Sequence, residues 1–208
     1  MNKFSKIILS LISFSLISAC TLSKDEEIEK FNEPRYTDRG QIELKVSNIE
    51  IESDFVSKLR APNVEHLFPI SIEKTAKLWA RDRLRAADYS SNKKAYYIIK
   101  NASVTEELIK SDKPFSKDRI KYKANLNVVL RINDGNNASS AQTEIEVWRE
   151  LTIPADTTIE EKERYWNGMV IKLFDEFDVR MEQNIHQYLN MYVANGSSTE
   201  TRYIQRAN

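Results

Sequence analysis

The chain has 208 residues, with 31 basic and 31 acidic side chains, a formal net charge of zero, 41% hydrophobic residues and one cysteine. Without a positive excess it has no general electrostatic hold on phosphate backbones, which argues against nucleic acid as a partner. A lone thiol leaves no intramolecular disulfide to form. The length suits one domain with a full core plus flexible ends, since single domains commonly run to about 100–150 residues.

At the start, Lys3 and Lys6 precede an apolar run from Ile7 to Ile17 that closes on Ile17-Ser18-Ala19-Cys20. A cationic start, a short apolar core and a small residue at the cut are the layout of a secretory signal peptide. The run has 11 residues, whereas a bilayer span needs roughly 20, so a permanent transmembrane helix is disfavoured. A signal that stops immediately before the single Cys resembles the bacterial lipobox. That resemblance implies removal of residues 1–19 and attachment of a diacylglycerol, with palmitate-type chains, to the Cys20 thiol. The remaining chain carries 29 basic and 31 acidic side chains.

Residues 20–40 are mostly polar or charged and carry few apolar residues at either period, so they are expected to be a flexible tether. About 20 such residues have a root-mean-square span of roughly 25 Å and an extended limit of roughly 70 Å. From Gln41 the pattern has period two, with Ile42, Leu44 and Val46 alternating with polar residues, the pattern of a strand with one buried face. The apolar set then shifts parity to Ile49 and Ile51, which places a bulge near Ser47-Asn48. The stretch 60–69 is irregular, with an apolar cluster between Pro62 and Pro69.

Ser71 is the expected N-cap of an amphipathic helix of about 17 residues, carrying Ile72, Ala76, Trp79, Ala80, Arg83 and Ala87 on one face and ending near Asp88. A strand follows from Lys94 to about Leu108, apolar on both parities at its start. Next comes a hairpin. Even positions from Ile120 to Ile132 are apolar, odd positions from Ala141 to Ile153 nearly all are, and Asn133-Asp134-Gly135-Asn136 lies between. Pairing Ile132 with Ala141 sets Lys123 against Glu150 and Arg131 against Gln142; a slip of two sets Arg131 against Glu144. Either register lays a basic strand beside an acidic one on a face built for water.

Thr157 with Glu160, or Thr158 with Glu161, is positioned for a capping box. The following helix of about 35 residues is expected to bury Trp166, Val170, Leu173, Phe177, Met181, Ile185, Tyr188 and Tyr192. Residues 194–208 are polar and unpatterned, an expected loose tail.

The order β-α-β-β-β-α, with one apolar face per element, predicts an α+β two-layer sandwich: a four-stranded, mainly antiparallel sheet with two helices on one face, formed by residues 41–193. At this level the chain resembles the small lipoproteins of envelope transport machines, notably the LPS-assembly lipoprotein LptE family and the auxiliary lipoproteins of ABC-type lipid transporters. Their common plan is an acylated Cys, a tether and a domain of this element order. The stretches Ala61-Pro-Asn-Val-Glu-His-Leu-Phe-Pro69 and Lys77-Leu-Trp-Ala-Arg-Asp-Arg-Leu-Arg85 also look like an alphaproteobacterial lipoprotein group of unassigned role. The resemblance implies a protein held at the outer membrane by its lipid, facing the periplasm, with a transporter or outer-membrane protein as partner.

Chemistry-bearing motifs are sparse. His66 and His186 form no HExxH pair, and Cys20 is the only thiol, so neither a metal nor a cofactor is expected. Glu182 with His186, and the group Asp175, Glu176 and Asp178, read as solvated helix surface rather than as acid–base machinery. Catalysis is therefore not expected. The candidate partner surface is Val64, Leu67 and Phe68 in the apolar loop, with Trp148 on the outward face of the acidic strand. A second possibility is a carrier that holds an amphiphile between helices and sheet, with a cavity under Trp79 and Trp166.

Overall fold

A computed structural model of the chain describes residues 30–113, 116–135 and 139–194. Cys20, the signal sequence and the tail beyond Ala194 lie outside the described residues. The main sheet has the order β2-β4-β5-β6, built from Asn48–Ser53, Lys93–Ile109, Arg119–Asp134 and Ser140–Pro154. The pair β2–β4 is parallel and the other two pairs are antiparallel. Two helices, α1 (Ile72–Arg83) and α2 (Ile159–Tyr188), lie on its apolar face and complete an α+β arrangement.

The hairpin β5–β6 takes the first of the two registers that its charge pattern allows: Ile132 faces Ala141, Lys123 faces Glu150 and Arg131 faces Gln142. A one-residue slip would turn every buried side chain outward. Ser71 caps α1 by accepting from Lys74 N at 3.2 Å, and Thr158, not Thr157, caps α2 by accepting from Glu161 N at 3.3 Å. In β4 the register shifts between Ile99 and Asn101. The buried parity changes across that shift, with Ala95, Tyr97 and Ile99 buried before it and Ala102 and Val104 after it; Ile98, on the other parity, is buried as well.

Four expectations need correction. The first predicted strand is two strands. Its beginning, β1 (Ile42–Leu44), pairs in parallel with β3 (Leu84–Ala86) in a small separate sheet, and the chain bends at residues 45–47 before joining the main sheet as β2. The first helix stops at Arg83 rather than near Asp88 because Leu84 to Ala86 are taken by that pairing, a tertiary contact that overrides local helix preference. The last helix has 30 residues; Leu189 takes the buried position expected for Tyr188, which is exposed.

The fourth correction concerns the expected tether, of which about half, from Phe31 onward, is part of the domain. Tyr36 is buried, Phe31 packs on the core and Glu33 pairs with Lys74 at 2.6 Å. Two charged pairs further along, described next, complete the attachment.

Candidate functional site

The core between helices and sheet holds two groups of packed rings, one around Trp79 and one around Trp166. Trp79 lies on Tyr97 with centroids 5.8 Å apart and meets Phe177 edge-on at 5.0 Å. Trp166 stacks on Phe68 at 4.8 Å and meets Tyr122 edge-on at 5.5 Å. The space under Trp79 and Trp166 is therefore occupied by the protein's own side chains, and this packing speaks against a carrier's cavity there. Burial raises the Tyr97 phenol well above its ordinary pKa.

Beside Trp79 a charged group is embedded in the core. Asp178 on α2 and Arg83 on α1 each expose only 1% of the side chain. One Asp178 oxygen accepts from Trp79 Nε1 at 2.7 Å and from Arg83 Nε at 3.0 Å, while the other accepts from Arg39. Arg83 also reaches Glu182. The residue before Arg83 on α1, Asp82, is gripped at both oxygens by Arg35, at 2.8 and 2.6 Å, and accepts from Tyr36 N at 3.0 Å. Those hydrogen bonds from Arg35, outweighing desolvation, hold the Asp82 carboxyl below its usual pKa. Residues 35–39 are thus tied to both helices.

Sequence reasoning placed Asp178 on a solvated face, and the structure buries it. A readable signal existed: Arg83 sits inside the apolar stripe of α1, and a cation at a core position requires an anion from a neighbouring element. Glu182, read beside His186, is engaged by Arg83.

The loop expected to form a partner surface divides. Val64 and Phe68 are buried in the core and Leu67 alone of the three is exposed. The cause is backbone pairing. Val64 N donates to Val104 O at 2.8 Å and Glu106 N to Pro62 O at 2.8 Å, so the loop adds itself to the β4 edge where β2 has ended. Glu65 locks it there, accepting from Ser57 Oγ and, at 3.3 Å, from Val104 N; although burial opposes ionisation, these bonds hold its carboxyl below the usual value. Trp148 is exposed on the outward face, as expected, with Lys123 Nζ 5.2 Å from its ring centroid.

Open grooves lie elsewhere among the described residues. One of about 520 Å³ is lined by Arg131, Asn133, Asp134, Ser139, Ser140 and Gln142 at the β5–β6 turn. Another, about 560 Å³, is lined by Ala61, Pro62, Glu106, Leu108 and Ile120 at the opposite end of β5. Among the described residues no group of three His, Cys, Asp or Glu side chains is arranged to hold a metal, and no helix is long and apolar enough to cross a membrane.

Neither a protein-family model nor a curated protein sequence matches the chain. Solved structures similar to it include a minor lipoprotein from Acinetobacter baumannii, 12% identical, covering 73% of this chain and 98% of its own, with a TM-score of 0.39. A protein named as a homolog of the neuraminyllactose-binding hemagglutinin, from Helicobacter pylori, is 9% identical, covers 74% of this chain and 94% of its own, and has a TM-score of 0.38. The rare lipoprotein B from Shewanella oneidensis is 12% identical, covers 65% of this chain and 98% of its own, and has a TM-score of 0.25. These are loose likenesses of architecture, and the functional reading rests on the residues of this chain.

Proposed function

We propose that the chain is a lipid-anchored, non-enzymatic accessory subunit of an envelope assembly or lipid-transport complex, acylated at Cys20 and held at the outer membrane facing the periplasm. The observation that carries this reading is the attachment of residues 31–39 to α1 and α2 through Glu33–Lys74, Arg35–Asp82 and Arg39–Asp178. An entry segment fixed to the core by ion pairs shortens the stretch between the domain and Cys20, which limits how far the domain can stand from whatever holds its N-terminal side. Only 11 residues then separate Cys20 from Phe31, and a stretch of that length reaches at most about 40 Å, instead of the roughly 70 Å allowed by a tether of about 20.

The mechanism is positional. Acyl chains contribute about 0.8 kcal/mol per buried methylene, and more than one chain makes anchoring durable. A short leash then turns partner binding into a local event at high effective concentration. Thr21, rather than an aspartate, after Cys20 favours the outer membrane. The filled aromatic core supports a scaffold over a carrier, and the exposed Leu67 and Trp148 are the parts of the expected partner surface open to contact.

Fractionation of cells expressing Cys20→Ser tests the anchor: the variant should leave the membrane fraction and appear in the soluble periplasm. Photo-crosslinkers at Leu67 and Trp148 test the partner. Attachment to a transporter subunit or an outer-membrane barrel supports the assignment; attachment to peptidoglycan alone removes it.

A further inference from the structure

The inner face of the sheet continues past its helices. Beyond Val104 on β4 and Tyr122 on β5, the next positions of the same parity are Glu106, Leu108 and Ile120, with Leu108 opposite Ile120 in the ladder. They line the 560 Å³ groove with Ala61 and Pro62. On the neighbouring loop Val56 is 80% and Leu59 67% exposed, and Leu108 is 55% exposed. Ile109 follows it at the strand end and is also exposed. Leu59 moreover holds φ at 51°, a left-handed backbone that a leucine adopts only against its preference. Leu108 shares the groove with Ala61, Pro62 and Ile120, and an apolar groove open to water, with further exposed apolar side chains on the adjoining loop and strand end, marks a contact surface.

Charge and chain direction indicate the occupant. Over residues 56–62 and 106–121, Lys and Arg number seven and Asp and Glu four, in a chain whose total charge is zero. Lys58, Arg60, Lys110, Lys113 and Arg119 are exposed there, whereas Glu107 is held by Lys121 at 3.1 Å. Traced backwards, the entry segment runs from Asp178 at Arg39 and Asp82 at Arg35 to Lys74, in the first turn of α1, at Glu33. That turn leads to Phe68, which packs on Tyr122 and Trp166. The chain therefore enters the domain from the side of the overhang.

We propose that this apolar, basic-rimmed end, Val56, Leu59, Leu108 and Ile109 with Lys58, Arg60 and Lys110, seats in the headgroup layer of a bilayer containing anionic phospholipid. The inference rests on the lipid-anchor reading, because a leash of 11 residues from Cys20 keeps this end within reach of the membrane. Apolar tips enter the acyl boundary while the cations stay among phosphates. The domain would thereby be held at two points, which fixes its orientation as well as its distance.

The test uses the full acylated protein, in which Cys20 is blocked and an introduced cysteine is the only free thiol. Leu59→Cys, Leu108→Cys and, as the far-end control beside Gly135, Asn92→Cys are each labelled with an environment-sensitive fluorophore. The proteins are reconstituted into phosphatidylethanolamine–phosphatidylglycerol vesicles that carry a spin-labelled lipid quencher near the headgroups. Unchanged thermal melts confirm that the labelled variants fold. The expected result is blue-shifted emission and several-fold quenching at positions 59 and 108, with position 92 remaining as in water. Vesicles that float with the protein while positions 59 and 108 behave like position 92 overturn the seating but leave the anchor reading intact. Failure to float overturns both. Shielding of position 108 from aqueous iodide in cell envelopes but not in vesicles places a protein on this end and overturns the lipid assignment.

Discussion

The middle of the sheet and its β4–β5 overhang carry the same inner-face alternation and meet opposite fates. Tyr97, Val104 and Leu126 belong to the covered core and are buried completely, whereas Leu108, on the inner parity of the same strand as Val104, stands in the open. The 17 residues of β4 span about 56 Å at 3.3 Å each and the 30 residues of α2 about 45 Å at 1.5 Å each. An alternating pattern thus identifies a strand's inner face, and the lengths of neighbouring elements decide whether anything covers it. Where cover ends, an apolar pattern becomes a surface.

The comparison breaks most visibly in the middle. Trp79→Ala removes a buried ring and the Nε1 donor to Asp178, and should destabilise the domain by about 3–5 kcal/mol. Near the transition, each kcal/mol shifts the melting temperature by roughly 2–4 °C at this size, which circular dichroism would read. Asp178→Ala leaves the Arg83 guanidinium buried without its main partner and should cost about 3–5 kcal/mol as well, with faster exchange of the Trp79 indole N–H, which donates to Asp178, as the local sign. A change below about 1 kcal/mol for either would mean that the ion pairs and rings do not hold the helices as described.

The Asp82–Arg35 pair sharpens the comparison through pH. The folded-state pKa of Asp82 lies below its ordinary 3.8, so its contribution is complete above that value and is lost as pH falls through the lower, folded-state value. Asp82→Asn should abolish this part of the acid dependence and cost about 1 kcal/mol at neutral pH, the partner Arg35 being largely exposed. Stability profiles of the two proteins that stay parallel from pH 5 to pH 2 would contradict it.

At the overhang, substitutions should scarcely affect folding. Leu108→Ser is expected within about 0.5 kcal/mol of the parent. Leu59→Gly should be neutral or raise stability by up to about 1 kcal/mol, since relief of the left-handed backbone is partly offset by glycine's entropy. A loss of several kcal/mol at either position would show that this end is core.

The hairpin and its register were legible because β5 and β6 alternate over long runs and their charges face one another across the sheet, as at Lys123 and Glu150. The end of α1 was not, because Leu84 to Ala86 leave the helix for a partner, β1, that lies 42 residues away in sequence. The parity change after Val46 was visible, but a bulge and a change of sheet write the same pattern. Residues 31–39 carry few apolar side chains, and a periodicity argument has no way to register a segment held by ion pairs. Asp178 was misplaced for a related reason: one residue outside the apolar stripe, a carboxylate reads as solvated unless Arg83 on the other helix is seen as its counterpart.

Mass spectrometry of the N-terminal peptide from the membrane-bound mature protein addresses the anchor on which the functional account rests. The account predicts a peptide that begins at Cys20 and carries a thioether-linked diacylglycerol. A peptide that retains residues from 1–19, or one with an unmodified Cys20 thiol, would contradict it.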